Sequence, residues 1–256
     1  MNDEARIDDH TLAADLAEAA GELLLALRRA PPADGLGAAG DRRSHRFLVD
    51  AIRRHRPTDA ILSEEAADDL SRLTADRVWI IDPLDGTREF AEDGREDWAV
   101  HVALWRRGAL AAGAVALPAR ALVLSTASTG SRPRARVDGR LRFLVSRTRP
   151  PVIATHAARA MHADLVPMGS AGAKTMAVVR GEADAYIHAG GQYEWDSAAP
   201  VAVAGAAGLH ASRVDGSPLR YNQRDPSLPD LLVCRADLAQ TLLKALATAI
   251  GTPGDL

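Results

Sequence analysis

The stretch that most constrains this chain is Trp79-Ile80-Ile81-Asp82-Pro83-Leu84-Asp85-Gly86-Thr87. An apolar strand, Val78 to Ile81, runs into two carboxylates three residues apart, with Pro83 between them and Gly86-Thr87 closing a turn. A strand end is a rigid platform, and Pro83 removes freedom from the bend that follows it. Asp82 and Asp85 can then converge on one point, the arrangement a hard divalent cation requires. Gly86 lets the backbone approach a ligand closely, and Thr87 offers a hydroxyl beside it. An Asx-rich turn after a strand would give the same letters without a metal.

Two further acidic clusters fall at element ends. Ala60-Ile61-Leu62 is a short apolar run that ends in Ser63-Glu64-Glu65, and Glu194-Trp195-Asp196-Ser197-Ala198-Ala199 opens a helical stretch. Taken singly, Glu64 and Glu65 also fit the acidic first turn of a helix, and Asp196 fits an N-terminal cap. Together the clusters read as one site assembled from distant segments.

The pattern around these clusters is mixed. Ile7 to Arg29 reads as a long amphipathic helix, broken by Pro31-Pro32 and the Gly35 to Gly40 stretch, and a second helix is expected from about Ser44 to His55. Trp98 to Trp105, Ala111 to Leu117 and Ala121 to Thr126 read as antiparallel strands, and polar, Arg-rich Ser128 to Arg142 as a surface hairpin. The second half is expected to hold strands near Leu141–Ser146, Val152–Thr155, Ala183–Ile187 and Leu231–Cys234. Helices are expected near Gly172–Arg180, Trp195–Ala207 and Ala236–Ala249. The fold class is therefore α/β (α+β). The 256 residues are expected to form one compact catalytic unit. Its N-terminal lobe, about 1–130, would carry most of the metal ligands, and its C-terminal lobe, about 140–256, would carry Asp196 and the substrate-binding residues.

Charge and cysteine usage narrow the partners. A net charge of −3 gives no electrostatic case for a nucleic-acid polymer. Cys234 is the only cysteine, which excludes an internal disulfide and fits a reducing compartment. The acidic start Met1-Asn2-Asp3-Glu4 is unlike a signal peptide, and no apolar run reaches membrane-spanning length, so a cytoplasmic protein without membrane contact is expected. No His-x-x-x-His spacing points to zinc.

Glu64-Glu65, the Asp82 to Thr87 run, and Trp195-Asp196-Ser197-Ala198-Ala199 with Ala207-Gly208 together resemble the inositol monophosphatase superfamily. Its members are magnesium-dependent, lithium-sensitive phosphomonoesterases. Thr87-Arg88-Glu89-Phe90 and Gly169-Ser170-Ala171-Gly172-Ala173-Lys174 resemble its CysQ branch, which removes the 3′-phosphate from 3′-phosphoadenosine 5′-phosphate. The resemblance implies a layered α-β-α-β-α sandwich, two or three Mg²⁺ ions, and a homodimer. It assigns Glu64, Asp82, the Leu84 carbonyl, Asp85 and Asp196 to the metals, with a metal-bound water as nucleophile. Thr87 would orient that water, partnered by Asp41. This chain departs from the family in reading Ala38-Ala39-Gly40-Asp41 where a Thr usually precedes the Asp. Asp41 therefore has a second reading, as cap of the helix expected near Ser44.

Gly86 and Thr87 would cradle the phosphate. Lysine is rare here: of 31 basic residues only Lys174 and Lys244 are lysines. Lys174 follows a loop of small residues that leads into a helix, and the resemblance to the CysQ branch, whose matching Ser and Lys hold the nucleotide, implies that Ser170 and Lys174 bind the second phosphate or the ribose. His188 takes the place where relatives often carry an Arg and completes the substrate set, although that departure weakens strict adenylate specificity. The expected reaction is Mg²⁺-dependent hydrolysis of the 3′-phosphate of 3′-phosphoadenosine 5′-phosphate to AMP. The alternatives are an inositol monophosphatase or fructose-1,6-bisphosphatase activity by the same chemistry, or a silent metal- or nucleotide-binding scaffold.

Overall fold

The computed structural model describes residues 7–32, 35–128 and 139–250. Helix α1 (Asp9–Arg29) starts at Asp8, whose carboxylate accepts the backbone N–H of His10 and Thr11. Helix α2 (Leu36–His55) follows, then strands β1 (Ala60–Ser63) and β2 (Arg77–Asp85), short helix α3 (Thr87–Ala91), and strands β3 (Ala99–Arg106), β4 (Ala109–Leu117) and β5 (Leu122–Ser125). The second half runs β6 (Arg142–Ser146), α4 (Val152–Ala160), β7 (Asp164–Met168), α5 (Ala171–Val179), β8 (Ala185–Tyr193), α6 (Glu194–Ala206), β9 (His210–Ser212), β10 (Ser227–Cys234) and α7 (Ala239–Ile250).

The strands form two sheets, ordered β1-β2-β3-β4-β5 and β7-β6-β8-β10-β9. Strand β2 shows why layers stack on both faces of the first sheet. Its Trp79 and Ile81 pack with Leu24, Leu48 and Ile52 of α1 and α2, whereas Val78 and Ile80 pack with Met176 and Val203 of α5 and α6. Side chains alternate across a strand, so an apolar run with no polar break must be covered twice. Tyr186 and Val233 of the second sheet close on α5 and α6 from the other side. On the far face, Phe143, Ile187 and Leu232 meet Ala154 and Ala157 of α4 and Leu242 and Leu246 of α7. The result is the expected α-β-α-β-α sandwich, with α5 and α6 as its central layer.

Several local expectations are corrected. Helix α2 begins at Leu36, not near Ser44, because Ala39 and Gly40 continue its buried face. Residues 152–155 open helix α4 instead of a strand, since Ala154, Ala157 and Ala158 share one buried helical face. Strand β8 runs on past Ile187 to Tyr193, where α6 starts. Edge strands β7 and β9 carry no clear sequence signal. The hairpin expected over 128–142 falls largely on residues 129–138, outside the described residues, as do Arg132, Arg134 and Arg136. Among the described residues, no helix is long and apolar enough to cross a membrane.

Candidate active site

Asp82 and Asp85 both belong to β2, which continues through Pro83 where a turn was expected. Asp82 pairs with His101 and Asp85 with Ala99, so three steps on β2 oppose two on β3. Such a bulge bends the strand and re-aims its side chains. Here it turns both carboxylates inward, and Asp82 Oδ1 accepts the Leu84 N–H at 3.0 Å. Strands β1 and β2 are parallel with Ser63 opposite Ile81, so Glu64 emerges beside Asp82 at the same C-terminal edge. Asp196 sits in the first turn of α6, where its Oδ2 accepts the Tyr193 N–H at 2.7 Å. The cap residue is Tyr193, not Asp196, which lies at the third position of the helix and bonds back to the cap, and the same side chain still joins the cluster. Carboxylate oxygens of Asp82, Asp85 and Asp196 lie within 4.8 Å of one another.

Crowding of negative charge shows in the acidities. Burial, then the Glu64 charge, raises Asp82 well above the carboxylate range. Burial, then the Asp196 charge, lifts Glu64 to about 7, and burial with the Asp85 charge lifts Asp196 to about 6. Asp85 behaves oppositely. Burial pushes it up, but His101, the Ser170 hydroxyl and Lys174 outweigh that and hold it at about 2. Close carboxylates that resist ionisation, with oxygen as the only donor atom, fit a hard cation such as Mg²⁺.

Asp41 lies within α2 and does not cap it. Thr87 Oγ1 lies 3.1 Å from both Asp41 Oδ1 and the Leu84 carbonyl, which share its single hydroxyl proton. Of the two readings for Asp41, the partner of Thr87 is the one observed. Burial raises Asp41 to about 6 despite that bond. Ser44 Oγ donates to the Pro83 carbonyl at 2.7 Å, so α2 is fastened to the motif at two points. Gly86 follows with φ of 87°, a conformation L side chains avoid, and starts the turn of α3.

The residues assigned to substrate are placed more deeply than expected. Ser170 caps α5 and donates to Asp85 Oδ2 at 2.5 Å. Lys174 is buried, with Nζ donating to the carbonyls of Met168, Gly169 and Ser170 at 3.3, 3.2 and 2.7 Å. Its ammonium lies 4.9 Å from the Tyr186 ring centroid. Burial lowers its pKa to about 8, although Asp85 and Glu89 oppose the shift. His188 is buried on β8 with Nε2 unpartnered, and burial, reinforced by Lys174, holds it neutral with a pKa of about 4.

Two groups that sequence reasoning undervalued complete the surroundings. His101 is fully buried on β3, with Nδ1 3.1 Å from the Trp195 carbonyl and Nε2 3.2 Å from Asp85 Oδ2. Burial pushes the His101 pKa down, but the Asp85 carboxylate beside Nε2 outweighs it and raises the pKa overall. Its place opposite Asp82 in the strand pairing was the missing signal. Arg72, also fully buried, pairs with Asp68 at 2.7 Å and donates to Asn222 Oδ1 at 2.7 Å. Glu194 accepts the N–H groups of Asn222 and Gln223 at 2.6 and 2.7 Å. The loop after Glu64 is thereby tied to the start of the helix that carries Asp196.

This arrangement has counterparts among known proteins. A 3′-phosphoadenosine 5′-phosphate phosphatase of Mycobacterium bovis is 56% identical over 241 residues, covering 90% of this chain and 90% of that protein. The crystal structure of CysQ from Bacteroides thetaiotaomicron matches with a TM-score of 0.76 at 26% identity, covering 91% of this chain and 99% of that one. Inositol monophosphatase II from Staphylococcus aureus matches in fold with a TM-score of 0.80 at 21% identity, over 94% and 96% of the two chains. The model of the inositol monophosphatase family matches residues 17–250, and the chain belongs to that family.

Proposed function

We propose that the chain is a Mg²⁺-dependent phosphomonoesterase that releases the 3′-phosphate of 3′-phosphoadenosine 5′-phosphate. The observation that carries the chemistry is the convergence of Asp82, Asp85 and Asp196 within 4.8 Å, with Glu64 emerging alongside. The substrate is supported by the relative at 56% identity that bears that activity in its name. Glu64, Asp82, the Leu84 carbonyl, Asp85 and Asp196 would hold two or three Mg²⁺ ions. Bound there, the ions would neutralise phosphate charge and make water a better nucleophile.

The chain's own residues supply orientation and a proton path. Thr87 Oγ1, fixed between Asp41 Oδ1 and the Leu84 carbonyl, can accept a hydrogen bond from the attacking water. As the water oxygen bonds to phosphorus, the P–O3′ bond breaks and its electron pair leaves on the ribose 3′-oxygen, which takes a proton from solvent water, while the attacking water's proton passes to Thr87 Oγ1 and the Thr87 proton to Asp41 Oδ1. Asp41, lifted to about 6, is a stronger base than an ordinary carboxylate and is still ionised near neutral pH. Gly86 and Thr87 line the phosphate side of the site. Lys174 supplies positive charge below it, and His188 offers a neutral hydrogen-bonding group to the remainder of the substrate. Because His188 is uncharged where an Arg would clamp a second anion, hydrolysis of inositol and sugar phosphates is expected as a weaker activity.

Phosphate release from 3′-phosphoadenosine 5′-phosphate, measured with and without Mg²⁺, tests the proposal. Absence of Mg²⁺-dependent release from this nucleotide, inositol 1-phosphate and fructose 1,6-bisphosphate alike would leave a silent scaffold.

A further inference from the structure

Asp85 Oδ2 is crowded by the protein itself. Ser170 Oγ donates to it at 2.5 Å and the Gly172 N–H at 2.7 Å, while His101 Nε2 stands 3.2 Å away. These partners come from the start of α5 and from β3, so the oxygen is enclosed from two sides. The enclosure leaves no slack. A Cβ at residue 172 would lie 2.1 Å from His101 Nε2, so only glycine lets the helix approach. Ser170 is 7% exposed and holds a φ of 49°, uncommon for a residue with a side chain. Its hydroxyl is used twice over, since it also accepts the Ala173 N–H at 2.9 Å. Lys174 Nζ gathers the three carbonyls that precede and include Ser170, which fixes the loop from below.

We propose that Ser170 is a positioning residue for the metal ligand Asp85, not a contact to substrate. With two donors on Oδ2, Oδ1 is the oxygen that Asp85 would have left to hold the cation, and the two bonds fix the rotation of its carboxylate. A Ser170 hydroxyl turned towards a substrate would have to abandon both Asp85 and the cap of α5. Outer hydrogen bonds of this kind typically govern metal affinity by a factor of about 10–100. The inference rests on the reading of the acidic cluster as a Mg²⁺ site.

The test is a Mg²⁺ titration of the metal-free full chain, followed by thermal shift and calorimetry, for wild type and Ser170→Ala. Ser170→Gly, unstrained at this φ, carries the same test where the alanine variant folds poorly. The expected result is Mg²⁺ binding weakened by about 10–100-fold, with an unchanged KM for 3′-phosphoadenosine 5′-phosphate at saturating Mg²⁺. Loss of the cap alone lowers the metal-free Tm and leaves the Mg²⁺ Kd in place. Wild-type Mg²⁺ affinity in both variants overturns the inference, as does a rise in KM at saturating Mg²⁺ with affinity for the ion intact. A wild type that binds no Mg²⁺ overturns the metal reading and this inference with it.

Discussion

Asp82→Asn is the substitution in which stability and function should move in opposite directions. Asp82 is 1% exposed, and the amide is nearly isosteric with the carboxylate. Its Oδ1 can still accept the Leu84 N–H, so the bulge of β2 is kept. What is lost is one negative charge within 4.8 Å of two others. At that distance and an effective dielectric of about 20, one fully ionised pair repels by about 3.5 kcal/mol. Asp82 is raised furthest and itself holds a proton for part of the time at pH 8, which already relieves part of this, so a net gain of about 2–3 kcal/mol is expected for the metal-free variant at pH 8. For a chain of this size that is a rise in Tm of roughly 5–10 °C. The wild type should gain a similar amount from Mg²⁺, since a free concentration of about 100 Kd stabilises by about 2.7 kcal/mol. Thermal scans with EDTA and with Mg²⁺ should therefore cross over. The wild type is expected to be weak without the ion and strong with it, and the variant strong without it and indifferent to it. Phosphatase activity should fall at least about a thousandfold, or about 4 kcal/mol of barrier. A variant with near-normal turnover, or one less stable than wild type without metal, would refute the reasoning.

Further outcomes follow from the same geometry. Glu64 and Asp196, raised to about 7 and about 6 from 4.5 and 3.8, cost the metal-free fold stability as pH rises from about 4 to 7, because the unfolded chain ionises first. His188, lowered to about 4 from 6.5, acts in the opposite sense and is common to both metal states. The difference in Tm between Mg²⁺ and EDTA should thus grow from pH 5 to pH 8, and a flat difference would remove the two carboxylates from the ion. Lys174→Ala should raise KM for bisphosphate substrates more than for monophosphates and lower Tm through the three released carbonyls; equal effects on both substrates would detach Lys174 from the second phosphate. Cys234 is fully buried and its thiol is pushed up to about 12 by burial, so a thiol reagent should label it only on unfolding. Rapid labelling of the native protein would contradict its place in β10.

The parts of this architecture legible in the sequence are those where local chemistry and tertiary role coincide. Asp82-Pro83-Leu84-Asp85-Gly86-Thr87 is legible as a site because two carboxylates at a strand end are followed by a glycine able to take the positive φ that starts α3, although the strand continues through Pro83 where a turn was expected. Asp196 is visible for the same reason, since a helix start and a metal ligand both favour an aspartate. Segments read wrongly are those in which a local cue was outweighed at a distance. Val152-Ile153-Ala154-Thr155 looks like a strand by its β-branched residues, yet α4 wins because Ala154, Ala157 and Ala158 can be buried against the second sheet. Strand β7 contains Pro167, which is tolerated only because β7 is an edge. Ser170 and Lys174 were recognised as special, but their directions depend on Asp85 and on three carbonyls that only the fold brings near. His101 was dim for a related reason. A histidine in an apolar strand is usual, and only pairing with β2 reveals the carboxylate it faces.

The central claim is tested most directly by phosphate release from 3′-phosphoadenosine 5′-phosphate, inositol 1-phosphate and fructose 1,6-bisphosphate, assayed side by side with Mg²⁺ and with EDTA. Release that requires Mg²⁺ and strongly favours the nucleotide is the predicted result. Release undiminished by EDTA, or a preference for the inositol or sugar phosphate, would contradict it.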